Sequence, residues 1–129
     1  MSEQPSTAET FHRLEDLFAH VWMVRTFIKH SEEADEDDEL MEVQRELYDA
    51  MHSLGPFVDA QDHAGFIKQA RRKLKKIRDA TDLFVEIQPE ISDHTSFRMA
   101  ARSLKAAVDE IATRVSPPVA PAQSNDSES

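Results

Sequence analysis

The chain has 129 residues and a formal charge of −10, from 15 basic and 25 acidic side chains. Such an excess of negative charge repels duplex DNA and anionic lipid, which argues against a protein whose main task is to coat either. With no cysteine and only two glycines, Gly55 and Gly65, it has no disulfide, thiolate nucleophile, Cys-ligated zinc site, Walker loop or dinucleotide-binding fingerprint.

Helical periodicity appears in four segments, expected over about 7–31, 38–54, 63–88 and 93–116. In the first, Ser6 and Glu9 have capping-box spacing. Phe11, Leu14, Leu17, Phe18, Val21, Val24 and Ile28 then recur at three- and four-residue steps. Between the first two helices lies an acidic run, Glu32 to Glu39, read as a solvated and frayed turn because like charges four apart repel. It lacks the mid-loop glycine and ligand spacing of an EF-hand. The second pattern, Leu40, Val43, Leu47, Met51 and Leu54, is expected to stop at Gly55-Pro56.

Asp59 or Asp62 is placed to cap the third helix. Its stripe runs Phe66, Ile67, Ala70, Leu74, Ile77, Thr81, Phe84 and Ile87, and it should end before Pro89. The fourth, starting near Ser92 or Asp93, lines up Phe97, Ala101, Leu104, Val108, Ile111 and Val115 before Pro117-Pro118. No comparable window alternates with period two. The expected fold is all-α: short connections make neighbouring helices antiparallel, which gives an up-down-up-down four-helix bundle over 7–116. Residues 1–6 are expected to be flexible, and the Ser-, Pro- and Ala-rich stretch 117–129 to be a disordered tail.

The polar segment Met1–Glu9 has no signal-peptide pattern, and the longest apolar stretch, Leu17 to Ile28, is interrupted by His20 and Arg25. No membrane role and a cytoplasmic location are therefore expected. Six histidines raise the question of a metal, and Glu9-x-x-His12 and Asp49-x-x-His52 have the spacing of di-iron bundle ligands. Glu9 and His12 point away from the apolar stripe, however, and the third and fourth stripes hold no inward glutamate. No metal or cofactor is expected. Nor do the serines fall on a sharp glycine turn that would make one a nucleophile, so no catalytic residue is assigned.

Two surfaces stand out as candidates. On the first helix, Met23 and Phe27 lie opposite the core stripe at about 100° per residue, with Trp22 on one flank. Aromatic residues and methionine are enriched at interfaces. The leading expectation is thus a non-enzymatic protein–protein interaction module, with Trp22, Met23 and Phe27 meeting a protein partner or a second copy in a homodimer. Arg25, inside the core stripe, needs a carboxylate or backbone oxygen as partner. On the third helix, Lys68, Arg71, Arg72 and Lys75 face solvent as a candidate polyanion-binding stripe, the basis of a weaker nucleic-acid reading. No aromatic residue interleaves this stripe to stack a base. A metal- or small-ligand-binding bundle is weaker again.

Overall fold

A computed structural model describes residues 6–116. These form six helices: α1 (Thr7–Lys29), α2 (Glu32–Glu36), α3 (Asp38–His52), α4 (Gly55–Asp59), α5 (His63–Ile91) and α6 (Thr95–Val115). Among the described residues there is no strand, and no helix is long and apolar enough to cross a membrane. The expected tail over 117–129 lies outside the described residues, as do residues 1–5. Ser6 departs from the expected loose N-terminus. Its hydroxyl accepts the Glu9 N–H at 3.0 Å while the Glu9 carboxylate accepts the Ser6 N–H at 2.8 Å, which fixes the start of α1.

The four long helices surround one core. Helix α1 packs on α3 and α6, α5 packs on the same two, and α1 and α5 also meet, with Phe11 and Phe18 against Phe66. Leu14, Val21, Ile28, Leu40, Val43, Leu47, Phe84, Leu104 and Ile111 are fully buried between them. Each such side chain contributes about 1.5–3 kcal/mol of gross stabilisation. The two buried amide and hydroxyl groups on α5 are satisfied locally: Thr81 Oγ1 donates to the Ile77 carbonyl, and Gln88 Nε2 to that of Ser92.

Three boundaries differ from the sequence reading. The acidic run is not a frayed turn throughout, because Glu32–Glu36 forms α2. Ser31 Oγ accepts the Ala34 N–H, Ala34 is buried, and the acids sit at the favourable end of the helix dipole. Gly55-Pro56 does not end the second long helix, which stops at His52. It opens α4 instead, with proline in the first turn, where its missing N–H costs nothing. Helix α5 runs through Pro89 to Ile91. Proline removes only one bond there, two residues from the end, and Ser92 closes the turn by donating to the Gln88 carbonyl.

At the start of α5, Asp62 accepts the Gly65 N–H at 2.9 Å. A Cβ on Gly65 would come within 2.7 Å of both Asp62 Cγ and Phe57 Cδ1, and closer still to Asp62 Oδ2. Gly55 has nothing within 4 Å of the same position. Gly65→Ala should therefore lower stability in urea unfolding by about 1 kcal/mol, by displacing the cap, despite alanine's better helix propensity. Gly55→Ala should be neutral or stabilising by a few tenths of a kcal/mol.

Candidate interaction surfaces

Helix α1 presents Met23 to solvent at 63 % exposure, one turn from the partly exposed Phe27. Phe27 also stacks edge-on against buried Phe97, with ring centroids 5.0 Å apart, so it belongs partly to the α1/α6 contact. Across from them α6 exposes Met99 at 48 %. Met23, Val24, Phe27, Met99, Ala100 and Ala106 line an open groove of about 600 Å³, with Thr95, Ser96, Arg102 and Ser103 supplying its polar groups. Met99 escaped the sequence reading, although the helical-wheel comparison that singles out Met23 also sets Met99 opposite the stripe of its own helix.

Trp22 does not share this groove. Its ring turns towards α3, 6.0 Å from that of Tyr48 at an interplanar angle of 43°. In the angle between the rings lies the Arg25 guanidinium, its carbon 4.7 Å from each centroid. Arg25 is only 6 % exposed, and its partner is neither of the expected kinds. Nε donates to the side-chain carbonyl of Gln44 at 3.1 Å, and Gln44 Nε2 donates to Met41 Sδ. The two rings add attraction through their quadrupoles. The α1 residues expected to form one face thus divide between two grooves.

The basic stripe of α5 is partly committed to the fold. Arg71 Nε donates to the Val115 carbonyl at 2.6 Å, satisfying an orphan acceptor at the end of α6. The residue is exposed, as expected, and that bond adds a structural role. Lys75 pairs with Asp79 at 2.8 Å on its own helix, while Lys68 and Arg72 are exposed.

Of the histidines, His12 and His63 approach to 5.8 Å between ring centroids, beside Phe11, whereas His52 stacks on Tyr48. Among the described residues no three His, Asp or Glu side chains converge as a metal-binding group. Glu9 is occupied as the α1 cap. Compared with protein-family models, curated proteins and solved structures, the chain matches none.

Glu110 on α6 accepts from Arg13 of α1 at 2.8 and 2.9 Å and from Arg114 of its own helix at 2.7 Å. These hydrogen bonds, Arg13's first, hold its carboxyl at about 2, below the ordinary 4.5. A lowered carboxyl stabilises the fold above its unfolded value and loses that contribution as pH falls towards the folded one. The part of acid destabilisation between pH 4.5 and 2 due to this group should disappear in Glu110→Gln. Thermal melts across that range should show a shallower decline for the variant, offset by a lower melting temperature at pH 7.

Proposed function

We propose that the chain is a non-enzymatic interaction module, and that the groove between α1 and α6 takes the apolar face of a helix from another protein chain, a second copy included. The observation that carries this reading is the pairing of Met23 and Met99, exposed large apolar side chains from two helices, on either side of one open groove. Unbranched methionine side chains adapt to irregular partners. A shallow trough between two helices suits an amphipathic helix that presents residues three and four apart.

The proposal extends to the topology that builds the groove, an up-down-up-down four-helix bundle of α1, α3, α5 and α6. Support comes from contacts between neighbouring helices, whose residue numbers for α1/α6 and α1/α3 rise along one helix as they fall along the other. Arg13 meets Glu110 and Phe27 meets Phe97 between α1 and α6; Trp22 meets Tyr48 and Arg25 meets Gln44 between α1 and α3. Lys76 lies 3.9 Å from Glu46 between α3 and α5, and Arg71 meets Val115 between α5 and α6.

Met23→Glu combined with Met99→Glu tests the function without disturbing Phe27. The double variant should keep its helical circular dichroism and melting temperature. Self-association measured by sedimentation, or capture of a partner by immobilised protein, should weaken at least tenfold, as for residues at an interface centre. Unchanged association by a folded double variant would overturn the proposal. Unfolding would assign the two methionines to the core.

A further inference from the structure

We propose a second recognition site, on the opposite flank of α1, for a peptide that carries an apolar side chain and a carboxylate: the pocket beside Trp22 takes the side chain, and Arg25 takes the carboxylate. This site is separate from the Met23–Met99 groove and does not depend on it.

The argument starts from the charge on Arg25. The chain has 25 carboxylate side chains against 15 cations, yet among the described residues none forms an ion pair with this buried guanidinium. Only Nε has a protein acceptor. Neither Nη nitrogen donates to a protein group, and neither is sealed from solvent. Four N–H donors are therefore unpaired on a side chain that is only 6 % exposed, and their nitrogens keep a little contact with solvent. The Trp22 and Tyr48 rings and the Gln44 carbonyl fix the guanidinium plane, so little side-chain entropy is left to lose on binding. A planar, immobilised fork of donors matches the two oxygens of a carboxylate.

The surroundings specify the rest of the ligand. Trp22 and Tyr48 are the chain's only tryptophan and tyrosine, and both are partly exposed at this spot. Tryptophan, tyrosine and arginine are the residue types most enriched at binding hot spots. One turn towards the start of α1, Trp22 also forms a wall of an open pocket of about 230 Å³, with Phe18, Ala19, Met51, Leu54 and Val58 among its apolar lining and Glu15 as its one charged side chain. That volume is below the roughly 300 Å³ at which drug-sized ligand sites begin, which suits one apolar side chain better than a long acyl chain. A monoanion is favoured over a phosphate dianion by the net charge of −10.

Trp22 provides the readout, because its emission reports directly on the site. The peptide acetyl-Leu-Gly-Glu-amide should give a saturable change in fluorescence. The response should be at least tenfold weaker when Glu is replaced by Gln in the peptide, and likewise in Arg25→Met. Met23→Glu/Met99→Glu should bind the peptide as wild type does, which separates this site from the α1/α6 groove. Octanoate and inorganic phosphate serve as the other anion sources, and tighter binding of either would overturn the peptide assignment. Equal affinity for the Glu and Gln peptides, or no saturable response, would overturn the site. Should Arg25→Met fail to fold, the Arg25 Nε–Hε resonance of the wild type decides: it should shift with the Glu peptide and not with the Gln peptide.

Discussion

Helix α1 has more apolar surface than its neighbours can cover, and the surface features of the molecule follow from that imbalance. Its buried residues, from Phe11 to Ile28, already meet α3, α5 and α6. Trp22, Met23 and Phe27 are additional to these. Placed along the two seams of α1, they leave a trough on the α6 side and an aromatic niche on the α3 side. A helix buried on one stripe alone would have presented a charged outer face and neither groove.

Arg25 shows how a charge is accommodated within such a stripe. A guanidinium deep in an apolar contact costs several kcal/mol unless it is compensated. Here two ring faces and one amide oxygen, all from side chains of α1 and α3, compensate part of that cost, and the two Nη nitrogens stay without a protein acceptor. The same three groups bring the two helices into register, since Trp22 with Tyr48 and Arg25 with Gln44 are one turn apart on each. Arginine suits this position because its flat, weakly hydrated head stacks on aromatic faces; a lysine ammonium would retain its hydration demand.

Much of the fold was legible because apolar residues three and four apart carry a strong signal. The stripes through Leu14, Val21 and Ile28, through Leu40, Val43 and Leu47, and through Leu104 and Ile111 are the buried ones. The boundaries were less legible, since Pro56 and Pro89 were both read as stops. Proline opens a helix when its N–H would be unpaired anyway and is tolerated in a last turn, and choosing among these outcomes requires knowing which carbonyls lie nearby. Met23 was visible on a helical wheel, and so in principle was Met99. The partners of Arg25 and Arg71 were not, because each bond spans two helices and depends on their relative register.

The two ends of α6 are held very differently. At its last turn, Arg71 satisfies the Val115 carbonyl and Glu110 ties the helix to Arg13 of α1. At its first turn, His94 stands in the cap position with no side-chain hydrogen bond to the open N–H groups. Free amides at a helix start lower the cost of local opening. What holds the first turn of α6 is packing instead, buried Phe97 against Phe27 of α1. The wall of the trough is thus anchored by a single aromatic contact at one end and by hydrogen-bonded arginines at the other.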